Sequence, residues 1–271
     1  MTRPLSLAHL TVIDLAPPRM IEVAARIGYA SVGLRLIRVT DTTPGYPLMD
    51  DPTLMRETMA ALRDTGIGVM DIEFVRLTPE FKPAALEPFL EVGAELGAKH
   101  IVTAPYDPDL SRLTRNLAAF AELSDTYGLD PALEFFPWTN VPDLRSAVQV
   151  VSATDNPRIG VLLDTLHFDR SESMLDDIDT VDRHKLPLVH LCDAPVQPSY
   201  TTDELLHAAR SERLPPGKGR IDLHSILDRM SADIPLALEI PMDRLRISEG
   251  SEAVAKLAFN EARHFLSGRA K

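Results

Sequence analysis

The sequence predicts an α/β fold, a single (β/α)8 TIM barrel spanning residues 1–271, and three observations carry that expectation. Eight short runs rich in Val, Ile and Leu alternate with stretches whose apolar residues recur at helical spacing. Most connections between them are short, about two to six residues, as compact βα units require. The chain is 271 residues long and 45% hydrophobic, enough to bury a substantial core. Strict alternation repeated eight times favours a closed parallel barrel over a doubly wound sheet, the other architecture the pattern admits.

The first strand is read at LSLAHL (5–10), followed by a helix with Met20, Val23, Ala24 and Ile27 on one face. SVGLRL (31–36) and GVMDIEFV (68–75) flank a helix that DDPTL opens and DTGIG closes. HIVTAP (100–105) follows a helix lined by Leu86, Phe89, Leu90 and Gly93, and PALEFF (131–136) follows one lined by Leu113, Leu117, Phe120 and Ala121. VPDL then opens a helix carrying Leu144, Ala147, Val148 and Val151, before IGVLLD (159–164). PLVHLCD (187–193) and PLALEI (235–240) complete the set, and the last helix turns Val254, Leu257, Ala258 and Phe265 to one side. Pro near helix starts and Gly after helix ends support these boundaries. One connection is too long for a minimal turn: residues 194–221, containing PVQPSY and RLPPGKGR, are expected to form a lid or ligand-contacting loop.

Composition narrows the function. A net charge of −12 argues against nucleic acid, whose binding rests on clustered Lys and Arg, and favours a small-molecule ligand. No segment approaches 18 consecutive apolar residues, and Pro and polar residues break the N-terminus where a signal peptide needs an apolar run. A cytoplasmic protein with no membrane contact is expected. The single Cys192 fits a reducing compartment and excludes a Cys-based zinc module.

The chemistry is written at the ends of the last four strands, where Glu134, Asp164, His190 and Glu239 each follow apolar neighbours. In a parallel barrel these ends share one rim, where ligands bind. Taken singly, each residue reads more simply as a cap or a salt-bridge partner. Repeated at successive strands, they require a compensating positive charge, because like charges so close oppose joint ionisation. A single divalent cation is the simplest solution. The oxygen-rich set with one imidazole points to Mn2+, while Mg2+, Co2+, Fe2+ and Zn2+ remain compatible with it.

His167 stands three residues after Asp164, an offset that one regular strand cannot turn inward twice. It is expected on the rim loop, near the metal but outside its ligand set, as a general acid/base. Arg35 and Arg76 end the second and third strands, where a guanidinium suits a carboxylate or a row of hydroxyls, and Glu73 shares the same end. Trp138 offers an apolar wall for a sugar-like ligand, and Lys218 in PPGKGR is a further candidate substrate contact, although that motif lacks the phosphate-loop pattern. His9, at the end of the first strand, reads as structural before it reads as a substrate contact.

The segments ALEFFPW, GVLLDTLHF, VHLCDAP, LPPGKGRID and ALEIP resemble the sugar phosphate isomerase/epimerase family, the xylose isomerase-like TIM barrels of the AP endonuclease 2 superfamily, over nearly the whole chain. The resemblance implies one divalent metal on Glu134, Asp164, His190 and Glu239, with His167 at the substrate, and assembly into a homo-oligomer. It also implies proton removal next to a carbonyl, with the metal as Lewis acid for the developing enediolate. Epimerisation or isomerisation would use Glu134 and Glu239 as both ligands and acid/base groups. Dehydration, as in dehydroshikimate or inosose dehydratases, would use His167. Ketose 3-epimerases typically carry a Glu six residues after the first metal Glu and an Arg six after the metal His, positions held here by Asn140 and Val196. Endonuclease IV needs extra histidines where this chain has Arg35, Glu73, Arg76 and Pro105. A sugar-like polyhydroxy ketone is the expected substrate, and a non-catalytic accessory subunit is the remaining alternative.

Overall fold

Eight strands run parallel and close in chain order into a barrel: β1 (Leu5–Leu7), β2 (Ser31–Arg35), β3 (Gly68–Leu77), β4 (His100–Pro105), β5 (Asp130–Glu134), β6 (Gly160–Asp164), β7 (Val189–Leu191) and β8 (Leu236–Leu238). The computed structural model describes residues 3–40, 43–197 and 199–268. Helices α1 (Pro17–Ile27), α2 (Pro52–Thr65), α3 (Glu87–Glu95), α4 (Leu110–Asp125) and α5 (Leu144–Ala153) fill the first connections. After β6 come α6 (Thr165–Arg170) and α7 (Leu175–Asp179), after β7 come α8 (Thr202–Ser211) and α9 (Leu223–Asp228), and α10 (Asp243–Glu249) and α11 (Ser251–Gly268) close the chain.

The caps follow from the sequence. Asp51 accepts from Thr53 N and Leu54 N to start α2 at Pro52, and Gly66 ends that helix at φ +71°. The connection expected to be a lid or ligand-contacting loop contains α8, opened by the Thr201/Glu204 capping box. Pro198, in the same connection, lies outside the described residues.

Strands β1, β7 and β8 are only three residues long, shorter than their apolar runs. Threonine hydroxyls continue the ladder beyond them. Thr11 Oγ1 donates to Leu238 O and accepts from Ile240 N, each at 2.8 Å, and Thr165 Oγ1 donates to Cys192 O at 2.8 Å while accepting from Cys192 N at 3.0 Å. These stitches fix the chain just where the last strands deliver their polar residues.

The barrel interior divides into two sectors. Val102, Ala132, Leu162 and Leu188 pack together on one side. Across from them, Ser6 pairs in register with Ala237 and Gly33 with Asp71, a small and polar sector. β3 carries one extra residue, Met70, against β2, where the register slips between Val32 and Gly33 and brings Asp71 opposite Gly33.

Candidate metal centre

Glu134 ends β5, Asp164 ends β6, His190 lies in β7 and Glu239 directly follows β8. One ligand atom from each lies within 4.8 Å of the other three, and all four residues are buried. His190 presents Nδ1 to the carboxylates, 3.5 Å from Glu239 Oε2, 3.8 Å from Glu134 Oε1 and 3.9 Å from Asp164 Oδ2. Neither ring nitrogen of His190 has a hydrogen-bond partner. Buried polar atoms seldom stay unpaired, so this gap between convergent donors is itself an observation that a cation explains.

Protonation compensates the charge when no cation is bound. Burial opposes a charge on His190, but Glu239, Glu134 and Asp164 outweigh it and push the imidazole up to about 10. Burial also drives the Glu134 carboxyl well above its usual range, with Glu239 and Asp164 adding to the rise. Glu239, despite its burial, is held below the usual carboxylate range by His190 and Arg213. A divalent ion replaces these protons with a better-matched charge, so the donor set fits one.

Arg213 is the residue that sequence reasoning missed. Only 2% exposed, it sets Nη1 2.6 Å from Asp164 Oδ2 and Nη2 2.8 Å from Glu239 Oε2. It arrives 23 residues after His190, because the chain leaves β7, makes α8 and returns across the barrel mouth: Leu214 and Asp193 exchange backbone bonds of 2.7 Å, and Arg213 N reaches Pro241 O. The signal was its place immediately before LPPGKG. Asp193 explains that motif, because its carboxylate accepts from the amides of Gly217, Gly219 and Ile221 and pins the returning segment.

Asp164 does two jobs besides joining the four-residue cluster. Its Oδ1 accepts from Leu166 N at 2.7 Å and His167 N at 3.2 Å, capping α6, while Oδ2 meets Arg213. The cap starts a helix at once, so His167 sits in the first turn of α6 rather than on a rim loop. Its Nε2 lies 3.7 Å from Glu134 Oε1, and Phe136 and Trp138 enclose the ring at centroid distances of 4.8 and 5.2 Å. Burial pulls its pKa down to about 4, leaving the imidazole neutral.

Above the four residues opens a cavity of about 330 Å³. Phe74, Tyr106, Phe136 and Trp138 supply aromatic surface, while Arg35, Glu134, His167, Arg213 and Glu239 supply polar groups. Arg210 and Ser211, from the end of α8, stand on its wall.

This geometry meets the sequence pattern of the xylose isomerase-like TIM barrel family, which matches residues 21–262. The chain belongs to that family. This xylose isomerase-like barrel is similar to the inosose isomerase of Bacillus velezensis, with 26% identity over 152 residues that cover 52% of each chain. It therefore spans about half the length of that curated relative. Among solved structures it is similar to an IolI protein with a bound zinc atom, at a TM-score of 0.78 and 20% identity over 99% of both chains. It is also similar to the D-psicose 3-epimerase of Clostridium cellulolyticum, at a TM-score of 0.74 and 16% identity over 98% of this chain and 99% of the other. At such identities the two structural likenesses speak for the fold.

Not every residue singled out in the sequence reaches this cavity. Lys218 pairs with Glu261 at 2.9 Å beside a separate hollow lined by His224, His264 and Phe265, because Asp193 turns the glycine loop away from the barrel mouth. Arg76 is exposed, donates to Val39 O and lies over the Tyr106 ring, on the far side of that aromatic wall. Glu73 is buried and holds Arg35 at 3.3 Å, below the cavity wall. His9 occupies a 3-10 turn, joined to Leu15 O at 2.9 Å and accepting from Arg35 N at 2.8 Å, a structural role.

Proposed function

We propose that this chain is a divalent-metal-dependent isomerase or epimerase acting on a small, polyhydroxylated ketone. The observation that carries the reading is the convergence of Glu134, Asp164, His190 and Glu239 beside a partly aromatic cavity that Glu134, Glu239 and His167 line. The inosose isomerase relative is consistent with it. The oxygen-rich donors favour Mn2+.

A bound divalent ion supplies a Lewis acid for the substrate carbonyl. The protein's own groups do the rest. Phe136 and Trp138 offer an apolar face to the carbon skeleton, and Arg35 supplies hydrogen-bond donors to hydroxyls. Glu134 and Glu239 both line the cavity, and would take a proton from a carbon next to the carbonyl and return one to the other face. His167, neutral and touching Glu134, shuttles the proton between oxygens. Ala209, Arg210, Ser211 and Arg213 wall the cavity where the substrate would react.

A second reading, dehydration with His167 as base, has one observation in its favour. Asn140, which stands where ketose 3-epimerases typically place an extra Glu, is exposed and spends its amide on Pro108 O at 2.9 Å. Incubation of the Mn2+-loaded protein with inososes and ketoses in D2O separates the two. Deuterium in the recovered substrate or its isomer is the expected result. An ultraviolet-absorbing conjugated product supports dehydration instead, and a protein that binds no divalent ion overturns both.

A further inference from the structure

Asp71 is the least explained group in the barrel. It is 1% exposed, lies inside the barrel on β3, and neither carboxylate oxygen has a hydrogen-bond partner. Space has been cleared for it. A Cβ on Gly33, its neighbour on β2, would stand 2.5 Å from Asp71 Oδ1 and 2.7 Å from Oδ2, so no other residue at position 33 leaves the carboxylate where it is. A buried, unpaired carboxylate is costly, and a fold that makes room for one draws some return from it.

The return is visible in what else lacks a partner. His190 points Nδ1 at the three carboxylates, which leaves Nε2 buried and unpaired on the far side of the ring. Ser6 Oγ, in the same polar sector as Asp71, is also buried without a partner. Asp71 lies close enough to His190 and Glu239 for their charges to alter its proton affinity, although burial and Glu73 act on it more strongly. The strand register links them, because His190 pairs with Ala237, Ala237 with Ser6, and Asp71 with Gly33 on the next strand, and unpaired buried polar atoms of complementary kind in one such sector are the setting in which buried water is held.

We infer that Asp71 is a positioning residue for the metal centre: through one buried water, shared with Ser6, it receives the Nε2–H of His190 and so fixes the imidazole with Nδ1 toward the ion. A metal-binding histidine needs its second nitrogen anchored, because that bond sets both the tautomer and the ring orientation. The inference rests on the four-residue metal centre and adds to it a residue two strands removed from the nearest ligand strand.

The test uses the cobalt-loaded full-length protein. Only one imidazole belongs to the donor set, so one exchangeable, paramagnetically shifted ring N–H resonance is expected from the ligands. In the wild type it exchanges slowly with water. Asp71→Asn, which keeps the volume, accelerates that exchange and weakens cobalt affinity about tenfold, within the range for loss of such an outer partner. Asp71→Ala goes further in both readouts. The N–H exchange is the readout that a merely structural residue would leave unmoved. A wild type that binds no cobalt overturns the metal centre itself. A wild type that binds it, with Asp71→Asn unchanged in affinity and N–H exchange, overturns the role of Asp71 alone.

Discussion

His167 and Glu134 meet at 3.7 Å, yet the surroundings assign them different work. Glu134 belongs to the four-atom cluster, whereas the His167 ring is wedged between Phe136 and Trp138 and is not one of its donors. His167→Ala therefore removes the group proposed to transfer the proton and leaves the four-atom cluster in place. Turnover falls about 10²–10⁴-fold, the usual worth of a positioned acid/base, while metal content and affinity stay within about twofold of the wild type. Loss of the metal in this variant, measured by elemental analysis, would show that the ring supports the cluster rather than the substrate. The position of His167 was half legible in the sequence. An offset of three said that the strand had ended, but nothing in the residue order said that Asp164 itself caps the helix that follows. That second duty depends on Oδ1 turning back to two amides, a local conformation and not a pattern.

The segment from Asp193 to Ile221 shows where sequence reading stops at the level of elements. Helix α8 lies in a connection read as a loop, and among its residues only Ala209 is fully buried, so little of it packs against the barrel. Arg213 was missed because its site is defined by a returning chain, and distance along the sequence does not report a return. What the sequence did carry was the glycine motif, whose purpose is packing. Gly217 adopts φ +81°, and a Cβ on Gly219 would stand 2.2 Å from Asp193 Oδ1 and 2.6 Å from Ala194 N. Gly219→Ala must therefore displace backbone, at a cost of about 1–3 kcal/mol of stability. The displaced segment carries Arg213, so metal affinity falls with stability. Urea unfolding and metal titration of this variant check both, and an unaltered affinity at reduced stability would mean that Arg213 is held independently of the glycine loop.

Over the whole molecule, the closed barrel was readable because eight repeats of one pattern reinforce each other, and it is this closure that gathers distant residues into one coupled set of charges. The consequence is a pH dependence with opposite signs in two states. In the metal-free protein, His190 titrates near 10, above its unfolded value of about 6.5. Its contribution to stability is complete below pH 6.5 and disappears as pH rises through 10. His9 and His167 behave in reverse: burial holds both near 4, so their contribution is present above pH 6.5 and is lost as pH falls through 4. Metal-free stability should thus fall toward both ends of the range. Ion binding must expel the proton of His190, and that of Glu134 with it, so affinity rises at least about tenfold per pH unit between pH 6.5 and 9. Because a ligand at 100 times its dissociation constant adds about 2.7 kcal/mol, the stabilisation by a fixed concentration of Mn2+ widens as pH increases. Thermal midpoints measured with chelator and with excess Mn2+ from pH 5 to 9 should diverge toward high pH. Two curves that run parallel from pH 6.5 to 9 would mean that no proton leaves His190 on binding, and that the imidazole is not a ligand.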